Sequence, residues 1–169
     1  MKNMVKTVFF AAIFAGAILF PHGANGAAIR EKAAAKEAET GFESIEGKDW
    51  ILLEVRSGGK TITLDREQME KDNLKGAYTI SFLREGRIGG MGAPNRYNAP
   101  YTQRPDKFLN IGNIASTMML AFKEPEELKE KEYFDYLTAA QRWDFKQEKL
   151  EIYSKNSAGN EVILVFEIQ

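Results

Sequence analysis

The sequence predicts a mainly β domain of the α+β class: an antiparallel curled sheet or a half-barrel, with one α-helix packed against it. Three observations lead there. From Trp50 onward the chain breaks into short runs of β-branched, aromatic and aliphatic residues separated by Gly, Asn, Ser and Pro, the texture of strands and tight turns. One segment, 124–140, carries helix signals instead. The run 162–168 is apolar on both faces, as a strand covered on both sides at the centre of a sheet would be.

The elements follow in order. Trp50-Ile51-Leu52-Leu53-Glu54-Val55 and Thr61-Ile62-Thr63-Leu64 flank Ser57-Gly58-Gly59-Lys60, which reads as strand, glycine turn and strand. Residues 77–82 alternate, end at Glu85-Gly86 and lead into Arg87-Ile88-Gly89-Gly90-Met91-Gly92, whose glycines suit a tight bend or bulge in a curved strand. Phe108-Leu109-Asn110-Ile111 gives a further strand, with a turn at Ile114. Pro125 fits a first helical position, and Glu124, Glu126 and Glu127 favour the positive end of a helix dipole, so the helix is expected from Glu124 through Leu128, Tyr133, Phe134 and Leu137 to Ala140. Strands at 143–145, 150–153 and 162–168 close the chain, the last two joined by a turn at 156–160.

Ahead of this domain the chain has the marks of export. Lys2 and Lys6 form a positive start, residues 8–20 an apolar run too short to span a bilayer, and Pro21, Gly23 and Ala24-Asn25-Gly26 a small-residue exit. Residues 1–26 are therefore expected to be a cleavable signal peptide. Residues 27–46, rich in Ala, Glu and Lys and without a large apolar stripe, are expected to be a flexible or helical spacer. Residues 47–169 remain as one β-rich domain.

Composition removes several chemistries. With no cysteine there is no site for a lipid anchor and no disulfide, so the expected location is periplasmic or secreted, soluble and not as a lipoprotein. The one histidine, His22, falls in the segment expected to be cleaved, which leaves the mature chain without the usual metal ligands or the commonest general base. No metal and no cofactor is expected. Loss of Lys2 and Lys6 moves the net charge from −1 to −3, and the remaining basic residues are interspersed with acidic ones, so nucleic acid is not an expected partner.

The motifs that remain are weak. The glycines of 86–92 run into Ala93-Pro94-Asn95, which is turn chemistry and unlike a phosphate loop opening a helix. Ser57-Gly58-Gly59-Lys60 has the letters of the S-x-x-K signature but lies in a hairpin turn, where the lysine cannot return to the serine. Residues 95–101, Asn-Arg-Tyr-Asn-Ala-Pro-Tyr, read as a loop. Its tyrosines either pack beneath it or present, with Arg96 and Asn95, a recognition surface of which Arg96, Tyr97 and Tyr101 are the candidates. In Ala115-Ser116-Thr117-Met118-Met119 the methionines either fill the core or line an adaptable apolar site. The carboxylates of 124–132 read as a solvated helix face.

The order of these segments resembles the META domain family of HslJ-like envelope and secreted proteins. The resemblance is carried by Trp50 with its strand, Phe82 before a turn, Ile88-Gly89-Gly90-Met91-Gly92, Asn95-Arg96-Tyr97, Tyr101, Ile114-Ala115-Ser116-Thr117-Met118-Met119, the segment from Tyr133-Phe134 to Leu137, and a terminal strand ending Val165-Phe166. It implies a half-barrel with a helix, an envelope or secreted location, and associations with stress response, drug tolerance and secretion, without established catalytic residues. Where members of the family commonly carry two cysteines, this chain has Ala93-Pro94 and Ala121, so a redox role of that pair is absent.

Two functional expectations follow. The first is a non-enzymatic binding or accessory protein of envelope maintenance, stress tolerance or secretion, with another envelope protein or an apolar ligand as partner and no membrane span after signal removal. Its contact residues would be Asn95, Arg96, Tyr97, Tyr101, Met118 and Met119. The alternative is a periplasmic hydrolase or transferase that uses carboxylates, with Asp106 or Asp144 among them.

Overall fold

The protein is described by a computed structural model over residues 41–120 and 123–169. The expected signal peptide and residues 27–40 of the expected spacer lie outside these residues. Ten strands form one antiparallel sheet: β1 Asp49–Ser57, β2 Lys60–Thr63, β3 Thr79–Leu83, β4 Arg87–Met91, β5 Arg96–Gln103, β6 Leu109–Ile111, β7 Ala115–Ser116, β8 Arg142–Lys146, β9 Lys149–Lys155 and β10 Glu161–Ile168. Their order is β6-β5-β4-β3-β1-β10-β9-β8, with β2 also on β1 and β7 also on β5. The two ends of that order meet. Leu109 N–H donates to the Gln141 carbonyl at 3.1 Å and Trp143 N–H to the Lys107 carbonyl at 2.9 Å, around one isolated bridge between Phe108 and Arg142. The sheet is thus nearly closed into a barrel, with an incompletely laddered seam between β6 and β8.

Burial follows the strand period with one deliberate break. On β1 Trp50 and Leu52 face inward, and a bulge between Leu52 and Glu54 resets the phase so that Val55 faces inward as well. The backbone carbonyl of Leu52 there is met by the Arg66 guanidinium, whose Nη1 also donates to the Ala77 carbonyl at 2.8 Å. Burial lowers the Arg66 pKa to about 10. On β10, Val162, Leu164, Val165 and Phe166 are buried between β1 and β9, the central position expected of a strand apolar on both faces, although Ile168 is exposed.

The interior is filled by the chain's own side chains. Phe42 stacks edge-on to Phe82 at 5.2 Å and Trp143 at 5.3 Å, and lies tilted against Tyr101 at 5.4 Å, so one ring touches β3, β5 and β8 together. Trp50 Nε1 donates to the Ile45 carbonyl at 3.0 Å. Phe42 and Ile45 fall inside the segment expected as spacer, and the core therefore begins before residue 47. Burying each such ring contributes about 2–3 kcal/mol, which is why a short 3₁₀ turn at Phe42–Ser44 docks instead of trailing.

Three readings of the secondary structure also need correction. The loop expected at 95–101 belongs, from Arg96, to β5, paired with β4 on one side and with β7 and then β6 on the other; Pro100 sits where that pairing passes from β7 to β6. The main helix, α2, is Glu130–Thr138 and starts six residues later than expected, because Leu128 is drawn into the core and its carbonyl accepts from the Tyr78 hydroxyl. A second, shorter helix, α1 at Arg66–Lys71, was not expected; the Asp65 carboxylate caps it by accepting from Gln68 N–H at 2.9 Å. Helix α2 packs against β6 and β9, next to the seam.

The glycines of 87–92 serve close approach and not a bend. β4 pairs continuously with β5 from Arg87 to Met91. At Gly90 a Cβ would collide with the Thr79 carbonyl and stand 2.9 Å from the Tyr97 ring. No described helix is long and apolar enough to cross a membrane.

Candidate functional site

The candidate contact residues separate into two sets. Asn95, Tyr97 and Tyr101 are buried, whereas Arg96, Met118 and Met119 are exposed. The strand period explains the split at Arg96, Tyr97 and Tyr101, since β5 alternates outward and inward.

The buried set is structural in its bonding. Tyr97 and Tyr133 both donate to the Thr79 carbonyl, at 2.8 and 3.1 Å, with their hydroxyls 3.1 Å apart. Burial, and then the neighbouring Tyr133, pushes the Tyr97 hydroxyl well above the ordinary tyrosine range. Tyr101 is pushed up to about 12 by burial and by the Glu46 carboxylate, which accepts from it at 3.4 Å.

Asn95 is the centre of a clamp. Its Nδ2 donates to Glu130 Oε2 at 2.6 Å and to the Met119 carbonyl at 3.2 Å; its Oδ1 accepts from Thr117 Oγ1 at 2.8 Å and from Met119 N–H at 2.7 Å. All the hydrogen-bonding positions of this side-chain amide are used. Glu130, from the first turn of α2, also accepts from Ala93 N–H at 2.6 Å and Asn95 N–H at 2.7 Å. Gly92 leaves the room this needs, because a Cβ there would strike the Glu130 side chain and the Phe134 ring. Glu130 is therefore not part of a solvated helix face. It ties α2 to the 92–95 turn, and Asn95 ties that turn to 117–119.

What the clamp holds out is apolar. Met118 is 97% exposed, Met119 61% and Leu120 91%, so the methionines neither fill the core nor enclose a pocket. Beside this ridge runs a shallow groove of about 270 Å³ lined by Arg96, Tyr97, Asn98, Ala115, Ser116 and Thr117. Leu120, not singled out from sequence, completes the ridge; the signal was an apolar run continuing past Met119. Asn95 and Thr117 gave no hint of Glu130, because a carboxylate that bonds to a distant turn looks, in sequence, like any other acidic residue near a helix start.

The carboxylates proposed for chemistry are occupied otherwise. Asp106 is exposed and pairs with Arg104 at 3.5 Å. Asp144, on the face of β8 opposite Trp143, lies between the ammonium groups of Lys107 and Lys146, the latter at 2.6 Å. Burial alone would raise its pKa, but the hydrogen bonds from the two lysines outweigh burial and hold it below the usual carboxylate range. Around this ion triplet, Tyr153 donates to Glu151 and carries the Arg142 guanidinium over its ring at 3.3 Å. Among the described residues no group of His, Asp or Glu is placed to hold a metal ion.

No curated protein sequence matches the chain significantly. In structure it is similar to a protein from Burkholderia xenovorans solved by NMR, with 17% identity and a TM-score of 0.55 over 95% of this chain and 99% of that one. It is also similar to a duf4847 family protein from Bacteroides vulgatus solved by crystallography, with 12% identity and a TM-score of 0.49 over 74% of this chain and 94% of that one. At such identity the first likeness speaks to the fold alone. The sequence profile of the META domain matches residues 43–167, which spans the barrel from its first 3₁₀ turn to β10, and the chain belongs to the META domain family.

Proposed function

We propose that this META domain is a non-enzymatic binding or accessory module, exported to the envelope or secreted, that holds a partner protein through the ridge Met118-Met119-Leu120. One observation carries the reading: three consecutive large apolar side chains stand in solvent on a segment whose base is fixed by the four side-chain hydrogen bonds of Asn95. Exposing apolar surface costs stability and solubility, and a contiguous exposed apolar patch is characteristic of a contact surface. Methionine suits such a surface because its unbranched, polarisable side chain adapts to a partner. The filled barrel interior supports contact at the surface over enclosure of a ligand. Export is supported by the charged start, apolar run and small-residue exit of residues 1–26.

A photo-crosslinking residue at position 118, compared with one at the exposed Lys60 of β2, tests the reading in intact cells. An adduct formed from position 118 and not from position 60, and lost on Leu120→Ser, supports it. Equal adducts from both positions overturn it, as does a lipid found as the sole adduct.

A further inference from the structure

A second surface, built from other residues, has a distinct chemistry. Helix α1 and the irregular segment 123–127 form the walls of a cleft of about 290 Å³. Its floor is apolar: Leu64 and Met69 are each 4% exposed, and Leu74 packs partly buried on the same core. Pro125 adds an apolar wall. Its rim is acidic: among the described residues Asp65, Asp72, Glu124, Glu126 and Glu127 line it against Lys123 alone.

That imbalance is local, since the chain as a whole has 23 basic and 24 acidic residues. Some of it is spoken for. Asp72 accepts from Lys123 at 2.8 Å and from Gln68 Nε2 at 3.2 Å, Asp65 accepts from Gln68 N–H, and Glu124 accepts from Glu130 N–H at 3.2 Å. Glu126 and Glu127 are exposed and have no hydrogen bond or ion pair among the described residues, so negative charge stands free beside an apolar floor.

We propose that this cleft binds a small organic cation with an apolar body, of the aryl- or alkylammonium class. The apolar body would cover Leu64, Met69 and Leu74 while the ammonium group meets the carboxylates of 124–127. A neutral apolar ligand would desolvate those carboxylates without compensation, and an anion would be repelled. A bare metal ion would make no use of the floor, and the described acidic groups do not converge as metal ligands. The volume lies at the lower end of ligand pockets, which suits a body of about a dozen heavy atoms.

Met69 on the floor is a built-in reporter. With methyl-¹³C methionine in the whole protein, tryptamine should shift the Met69 methyl resonance saturably, with a dissociation constant of about 1 mM, and leave Met118 in place. The anion indole-3-propionate, of similar shape, should not. Replacing the two exposed carboxylates, Glu126→Gln with Glu127→Gln, should weaken tryptamine about threefold or more, as should salt at about 0.5 M. The proposal is overturned if Met69 does not respond, if indole-3-propionate acts as strongly, if Met69 and Met118 move in parallel, or if the double variant binds unchanged. Met118 serves here only as a remote reference, so none of these outcomes depends on whether the Met118–Leu120 surface holds a partner.

Discussion

Glu130 grips Asn95 twice: Oε1 accepts from its backbone N–H at 2.7 Å, and Oε2 accepts from its side-chain Nδ2 at 2.6 Å. Because Oε1 also accepts from Ala93 N–H, one carboxylate fixes the turn that joins β4 to β5 and, through Asn95, the segment carrying Met118. Hydrogen bonds to an ionised group are the stronger kind, and leaving their donors unpaired adds a desolvation cost.

Glu130→Ala should therefore lower the unfolding free energy by about 2–4 kcal/mol, read from urea denaturation. Glu130→Gln should cost less, because it keeps an acceptor for the two backbone donors but sets an amide NH₂ against Asn95 Nδ2. Hydrogen exchange should quicken at Ala93, Asn95 and Met119 in both variants. A Glu130→Ala protein as stable as the parent would show that the carboxylate is solvated and not a tie.

Asp144 predicts a pH dependence with a definite sign. Its folded-state pKa is held below the value of about 3.9 expected in the unfolded chain, so the pairing stabilises the protein fully above about pH 5. That contribution is lost as pH falls through the folded-state pKa. Asp144→Asn should thus be less stable than the parent by about 1–3 kcal/mol at pH 7, and the difference should shrink as the pH falls below about 4. Denaturation midpoints of the two proteins at pH 7, 4 and 2.5 give the test; a gap that widens with acidity contradicts it.

Much of the barrel was legible because it obeys local rules. The Ser57–Lys60 turn, the alternation of 77–82 and the two apolar faces of β10 each announce a strand or its end. β5 was misread because Asn95, Asn98 and Pro100 are turn residues by composition, yet register with β4 overrides them and leaves Tyr97, Ala99 and Tyr101 inward. The late start of α2 was hidden for a similar reason: Pro125 and its acidic neighbours satisfy every local rule for a helix start, and the core's hold on Leu128 does not show in sequence. By contrast, α1 could have been found, since Asp65 and Gln68 have the spacing of a cap and its reciprocal partner. The candidate site was half legible. Asn95, Arg96 and the methionines were visible as unusual residues, but which of them would be buried depends on β5 being a strand.

Gly90 separates close approach from flexibility as the reason for a glycine. The collision a Cβ would make is with the Thr79 backbone carbonyl, which cannot swing aside, and that carbonyl already accepts from Tyr97 and Tyr133. Gly90→Ala should cost about 3 kcal/mol or more and raise the accessibility of both tyrosine hydroxyls, seen as a tyrosine absorbance titration that is completed at lower pH than in the parent. Gly159→Ala is a useful comparison, because there the cost is backbone conformation at a positive φ of 81° with nothing near the added methyl. It should destabilise without altering the tyrosine titration.

The ridge is expected to behave in the opposite way to these interior positions. Side chains that are 97% and 91% exposed at Met118 and Leu120 have little contact to lose, so Met118→Ser with Leu120→Ser should move the unfolding free energy by no more than about 0.5 kcal/mol. Serine at both positions also removes apolar surface from water, which should reduce self-association at high concentration in sedimentation velocity. A loss above about 1 kcal/mol would mean that these residues pack against the rest of the protein and are not held out for a partner. The combination of unchanged stability with an adduct from position 118 that is lost on Leu120→Ser is the outcome that distinguishes a contact surface from a part of the fold, since a structural residue cannot lose one without the other.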